Sequence, residues 1–388
     1  MKKFSVIITH YNQMKYIEEA IKSVFKQDYL NMEIIIADDC SKTFDKKKVQ
    51  KLIEKYNKKN LPYKIVAGKV NEGTVKNINR AVKSTTGDYI MFFAADDELS
   101  NDKVISNFAK EFEDENKKIV TAQCVQCGST FDKKFGRFVK VFKSLRLNKK
   151  SSLKMYETMA EGCCYASGAT AYRREVFEKY GYYDEEYKYV EDWSYWLKVL
   201  REGEKMYYSN FDALNHRDGG ISHSEFTKLT LPPHVKQYYI DIINIYKKEV
   251  FPYIDRFNNL EKYKILVQFH ETTVYYANYV PELFKELSII DEIRSKNKSF
   301  NLLWKFMTII TNFKRFIILK GKILLKYNII VPITFFIWCI STYLLNMLNV
   351  DNNILLMLYT IMYFVIYIFV NFIYNSIKFL KNKELGGR

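Results

Sequence analysis

Apolar positions along the first hundred residues alternate between two periods. Residues 4–9 form a short β-rich run, and Met14, Ile17, Ile21 and Val24 then recur on one helical face. Residues 33–37 (EIIIA) predict a second buried strand, followed by a helix lined by Val49, Leu52, Ile53 and Tyr56. Residues 63–66 predict a third strand, Val75, Ile78 and Val82 a third helix, and residues 89–93 (YIMFF) a fourth strand. Strands separated by helices specify an α/β domain whose mostly parallel sheet has both faces covered. Ligands of such sheets sit beyond the carboxyl ends of the strands, so the polar residues there are the ones to inspect.

Residues 119–225 read as mixed, with a helix carrying Trp193, Trp196 and Leu197. From about residue 226 the pattern is helical, with Tyr238, Tyr239, Ile242 and Tyr246 as packing surface. Between Lys326 and Lys378 the one charged residue is Asp351. The apolar runs 327–350 and 354–377 each exceed the roughly 20 residues that cross a bilayer as a helix. Lysines and arginines flank both outer ends, which predicts a helical hairpin with those ends on the cytoplasmic side. The expected organisation is a catalytic domain over 1–225, a helical extension over 226–312, and a basic membrane-proximal segment with the hairpin over 313–388.

Composition narrows this picture modestly. The chain has 388 residues, of which 48% are hydrophobic and 27% charged, as in a packed globular protein. Its net charge of +16 suits nucleic acid, an anionic membrane or a sugar diphosphate. No nucleic-acid module is present and the basic residues are scattered, so nucleic acid is not an expected partner. Six cysteines are too few for a disulfide scaffold, and the lone Cys124-x-x-Cys127 lacks the further ligands of a zinc site. The apolar run at the N-terminus is too short for a signal peptide, which places the expected catalytic part in the cytoplasm.

Three strand ends carry the candidate chemistry. The first ends in Thr9-His10-Tyr11-Asn12, the second in Asp38-Asp39-Cys40-Ser41, and the fourth in Ala94-Ala95-Asp96-Asp97-Glu98. Adjacent carboxylates repel each other, so two such pairs at equivalent strand ends call for a cation or a donor. A hard divalent ion, Mn²⁺ or Mg²⁺, shared between carboxylates and substrate phosphates meets that demand.

The motifs SVIITHYN with QDY, IIIADDCS, NEGTVKNINRA, GDYIMFFAADDELS and SGATAYRREVF…GYYDE…EDWSYWLKVLREG occur in this order over residues 4–225. The pattern resembles family 2 of the glycosyltransferases. The resemblance implies a GT-A (Rossmann-like) fold, a nucleoside-diphosphate-sugar donor and inversion at the anomeric carbon. By the same resemblance Thr9, Tyr11 and Asn12 line the nucleotide pocket. Asp39 accepts a hydrogen bond from the base, most simply the N3–H of uracil, a group that thymine also offers. Asp96 matches the last acid of the family's D-x-D motif and is the metal-ligand candidate, with Asp97 beside it. Two departures stand out: Ala94 replaces the first D-x-D acid, and Ile78-Asn79 stands where relatives have Arg-Asn. Lys76 lies near enough in sequence to serve the diphosphate.

Asp192 matches the family's general base, which takes the proton of the acceptor hydroxyl, and Glu191 precedes it as a tuning or orienting acid. His216-Arg217-Asp218-Gly219-Gly220 resembles the loop that closes over the donor, with Arg217 for the diphosphate and His216 for metal or phosphate. These expectations describe an enzyme at the inner face of a cell membrane, integral through its hairpin, acting on a glycan or lipid-linked acceptor of surface polysaccharide. The competing readings are a nucleotidyltransferase on a related fold and a non-catalytic membrane scaffold, the latter favoured by Ala94.

Overall fold

The computed structural model describes residues 1–218 and 231–308. Its first part is an alternation of β1 (Phe4–His10), α1 (Ile17–Phe25), β2 (Met32–Asp38), α2 (Lys46–Tyr56), β3 (Tyr63–Ala67), α3 (Thr74–Ser84) and β4 (Tyr89–Ala94). Each element falls where the hydrophobic period placed it. The central strands are buried on both faces, which is why they read as continuous apolar runs. Phe4, Val6, Ile8, Ile34, Ile36, Met91 and Phe93 pack in one core with Ile17, Ile21 and Val24 of α1 and Val49 and Ile53 of α2. Ile7, Ile35 and Phe92 alternate with them and are equally buried, on the face that α3 covers with Val75, Ile78 and Val82.

The chain continues through β5 (Glu98–Leu99), α4 (Val104–Glu111), β6 (Ile119–Cys127), β7 (Lys134–Arg137), α5 (Val141–Leu147) and α6 (Ser152–Ala160). It then forms β8 (Thr170–Arg173), α7 (Arg174–Tyr180), α8 (Asp192–Arg201) and β9 (Met206–Arg217). One nine-stranded sheet runs in the order β3-β2-β1-β4-β8-β6-β9-β5, with β7 paired to β6. Beyond β4 the sheet is mixed: β8 is antiparallel to both β4 and β6, β5 is antiparallel to β9, and β6 and β9 are parallel. In the parallel half Thr9 pairs with Ala37 and with Ala94, so the carboxyl ends of β1, β2 and β4 form one edge. The Cys124-x-x-Cys127 pair lies within β6, where residues three apart point to opposite faces, and both thiols are buried.

Beyond residue 230 the described chain is helical, with α9 (Pro233–Ile245), α10 (Asn259–Ala277) and α11 (Ser288–Ser295). One compact unit extends from Met1 to Ile293 and a second begins at Arg294. In the second unit Phe300 packs against Trp304.

The membrane hairpin expected over 327–350 and 354–377 needs correction. Those runs lie outside the described residues, and among the described residues no helix is long and apolar enough to cross a membrane. Even the 19-residue α10 carries Glu261, Lys262, Lys264 and Glu271. An apolar run reports hydrophobicity, which helices buried in protein share with helices that span lipid. The hairpin, and the integral location at the inner membrane face that rested on it, are withdrawn.

Candidate functional site

A cleft of about 430 Å³ opens at the carboxyl edge of the parallel strands. One wall includes Thr9 at the end of β1, Ala94 at the end of β4, and Asp97. Its opposite wall includes Ser167, Tyr189, Glu191, Asp192 and Trp193, with His216 from β9 and Tyr238 from α9. Of the residues singled out from sequence, Thr9, Asp97, Glu191, Asp192 and His216 line this one cavity.

The two carboxylates of the second wall share a buried environment. Asp192 opens α8, where its carboxylate accepts the Trp193 N–H at 2.7 Å. Glu191 accepts the Ser167 hydroxyl at 2.9 Å. Burial pushes both carboxyls above their ordinary range, and the charge of Asp192 raises Glu191 further. At neutral pH the pair therefore holds a proton more readily than two solvated acids, and the acid that ionises is an improved base. The segment leading into this pair is fixed from α9: Asp241, fully buried, accepts the backbone N–H groups of Lys188 and Tyr189, each at 2.8 Å. Sequence reasoning treated α9 as extension and missed Asp241 and the place of Tyr238 in the cleft. Periodicity carries no signal for an acid that bonds backbone fifty residues away.

The Asp pairs at the strand ends divide their work. Asp38 accepts from His10 Nδ1 at 2.7 Å and from the Ser41 hydroxyl and N–H. Gln13 N–H donates to His10 Nε2 at 3.2 Å, so Nδ1 carries the imidazole proton toward Asp38. Burial raises Asp38, and these hydrogen bonds more than offset it, holding the carboxyl below its usual range. Asp39 is buried and accepts the backbone N–H groups of Glu72 at 3.0 Å and Gly73 at 2.8 Å. Those amides lie just ahead of α3, and the N-cap Gly73 has φ +94°, a conformation that favours glycine.

At the end of β4, Asp97 is 4% exposed. Its carboxylate accepts the Arg217 N–H at 2.9 Å and lies 3.1 Å from His216 Nδ1. Burial alone would lower the His216 imidazole, and the Asp97 carboxylate overrides it, raising the ring above its ordinary range. Asp96 differs: burial first and then the charge of Asp97 push its carboxyl up to about 6. A carboxylate so destabilised is one that a cation relieves. Among the described residues no group of three or more His, Cys, Asp or Glu side chains is placed to hold a metal. The donors present therefore fit an ion that takes most of its ligands from substrate phosphates and water, and do not fit a closed protein site.

Arg217, expected at the diphosphate, has its guanidinium committed to protein. Its Nε donates to the Asp96 carbonyl at 2.7 Å, and its terminal nitrogens bond the Ser129 carbonyl and Glu19. The guanidinium also lies between the rings of Tyr16 and Phe131. Lys76 sits on the first turn of α3, 4.0 Å from Glu72, and outside the cleft lining. Tyr11 is exposed and Asn12 takes φ +57° with its N–H donating to Ser41 Oγ. Gly219 and Gly220 of the expected loop lie outside the described residues.

Comparison with known proteins gives the site its context. Residues 5–181 match the family model described as Glycosyl transferase family 2. An uncharacterized glycosyltransferase of Rickettsia typhi is 28% identical over 202 residues, 51% of this chain and 58% of that protein. The poly(ribitol-phosphate) beta-N-acetylglucosaminyltransferase TarS of Staphylococcus aureus is 35% identical over 105 residues, 26% of this chain and 18% of TarS. The matched segments thus span less than two thirds of these relatives' own lengths. The crystal structure of S. aureus TarS aligns with a TM-score of 0.48 at 23% identity, covering 70% of this chain and 43% of that one. Residues 5–181 thus carry a domain that matches glycosyl transferase family 2.

Proposed function

We propose that this chain is an inverting glycosyltransferase that moves a sugar from a UDP-sugar to a glycan or lipid-linked acceptor of a cell-surface polysaccharide. The observation that carries the reading is the placement of Asp192: its carboxylate opens α8 on the wall facing the strand ends of β1 and β4, in the same cleft. In this reading the acceptor hydroxyl attacks the anomeric carbon from the face opposite the diphosphate. The new bond joins acceptor oxygen to that carbon, the carbon–phosphate-oxygen bond breaks, and its electron pair leaves with UDP. Asp192 takes the hydroxyl proton, a role that its burial favours by making the carboxylate more basic. Glu191, hydrogen-bonded to Ser167, orients that side of the cleft.

Thr9, Tyr11, Asn12, Asp39 and Lys76 are assigned to the nucleotide side. Support for UDP is the resemblance that aligns Asp39 with a base-reading acid. Asp96, with His216 and Asp97 behind it, would hold Mn²⁺ or Mg²⁺, which neutralises the departing diphosphate when bound. Support for a surface-polymer acceptor is the substrate in the name of TarS, poly(ribitol-phosphate).

The test is Asp192→Asn in an assay of UDP release from UDP-sugars with acceptor present. Turnover is expected to fall by about 10²- to 10⁴-fold, as for loss of a general base. Donor affinity measured by calorimetry should stay close to that of the unmodified chain. Near-normal turnover in Asp192→Asn would remove it from the mechanism.

A further inference from the structure

The basic residues, scattered over most of the chain, concentrate in one segment: between residues 133 and 150 the sequence has eight lysines and arginines and no acid. The segment comprises β7, the turn after it and α5, and almost all of it faces solvent. Among the described residues no carboxylate pairs with Lys133, Lys134, Lys140, Lys143 or Arg146, while Arg137 is held by Asp212 at 3.0 Å. Exposed rings are interleaved with these charges: Phe135 is 64%, Phe138 44% and Phe142 83% exposed. Isolated exposed apolar residues need no explanation, but rings set in an unpaired basic run form a surface with a defined chemistry.

That surface is continuous with the cleft. Phe138 is part of the cleft lining, and Phe135 lines a neighbouring recess of about 140 Å³ with Gln126, Cys127, His216 and Asp218. On the other side, burial pushes the Cys164 thiol up to about 11, and the Lys143 ammonium is the largest influence opposing it. Lys143 therefore projects its field onto the 163–168 loop, whose Cys163, Tyr165 and Ser167 line the cleft wall that carries Asp192. A path leads from the Asp192 wall over Phe138 to the lysines of α5.

We propose that the surface of residues 133–146 is an extension of the acceptor site that takes an anionic glycan, a sugar chain bearing phosphate or carboxylate groups. The cations meet the anionic groups and the exposed rings offer flat apolar faces to the sugar rings between them. Continuity with the cleft argues for a chain that runs into the transfer site rather than a surface that merely adheres. The inference rests on the glycosyl-transfer reading above.

The experiment compares the full chain with Lys140→Glu/Lys143→Glu/Arg146→Glu and with Lys46→Glu/Lys47→Glu/Lys48→Glu. The second variant makes the same charge change on the exposed start of α2. Each is titrated with labelled polygalacturonate, with neutral dextran, with phosphatidylglycerol vesicles and with a UDP-sugar. The α5 variant should lose roughly tenfold in polygalacturonate affinity and the α2 variant less than about threefold, since exposed charge pairs contribute only modestly one at a time. UDP-sugar affinity should be the same in all three proteins. Equal losses in the two variants overturn the proposal, as does a loss confined to the vesicles, which would assign the surface to lipid. Absence of UDP-sugar binding by the unmodified chain overturns the transfer reading and the acceptor role with it, even where polygalacturonate still binds.

Discussion

Glu33 offers a measurement of how the scaffold behind the cleft is held, because it lies at the opposite end of β2 from Asp38 and Asp39. Its carboxylate is buried and accepts from Ser5 Oγ at 2.8 Å, from Lys3 Nζ at 3.1 Å, and from the Thr86 hydroxyl and N–H. It thereby ties β1, β2 and the turn before β4 at the amino edge of the sheet. Burial alone would raise the carboxyl, and these donors hold it at about 2, against an ordinary value of 4.5. A folded value below the unfolded one contributes stability that is fully present above about pH 4.5 and is lost as pH falls through 2. The difference corresponds to about 3 kcal/mol at neutral pH. Glu33→Gln retains shape and one acceptor oxygen, so it should cost about 2–3 kcal/mol at pH 7. For a unit of this size that is a fall of about 5 °C in Tm.

The pH dependence is the sharper part of this prediction. At pH 3 the ionised carboxylate contributes only about 1.4 kcal/mol by the same linkage, so the gap between Glu33→Gln and the unmodified protein should shrink by about half. The assay is thermal unfolding followed by circular dichroism at pH 7, 5 and 3 on both proteins in parallel. UDP-sugar affinity at pH 7 serves as a control and should not change. A gap that stays constant from pH 7 to pH 3, or is below about 0.5 kcal/mol throughout, would refute the assignment of this stability to the Glu33 charge.

Gly73→Ala places a Cβ 2.5 Å from Lys188 Cγ and 2.9 Å from the Lys188 carbonyl, at a backbone φ of +94°. It should cost about 1–2 kcal/mol and displace the segment leading to Asp192, lowering turnover more than Tm; unchanged turnover would contradict this. Asp96→Asn removes a buried carboxyl whose folded pKa lies above its ordinary value, so at pH 7 in chelator it should raise Tm. The same variant should abolish any stabilisation by Mn²⁺, and an undiminished Mn²⁺ shift in Tm would exclude Asp96 as a ligand.

Much of the fold was legible because β1, β2 and β4 are apolar on both faces and α1 to α3 carry one apolar stripe each. Local period fixes such elements before any tertiary contact is known. The mixed half was less legible, since β8 has four residues and β5 two, too short for alternation to register. Asp241 was invisible for another reason: it acts on a partner distant in sequence, and nothing nearby marks it.

The Asp-Asp pairs show where a sequence reading meets its limit. Two carboxylates side by side at a strand end suggested two ligands for one cation. At the end of β2 both acids bond the protein: Asp38 orders His10 and Ser41, and Asp39 holds the loop ahead of α3. At the end of β4 Asp97 fixes His216 and Arg217 of β9, and Asp96 alone keeps a carboxyl that its surroundings leave poorly stabilised. The absence of an acid at Ala94 then has a definite consequence. With no second carboxylate to share the charge, affinity for a metal should depend on the diphosphate that brings it, so metal and donor should bind with strong mutual coupling. Calorimetric titration of Mn²⁺ with and without UDP decides this: an ion bound equally well in both conditions would mean that the protein holds a complete site of its own.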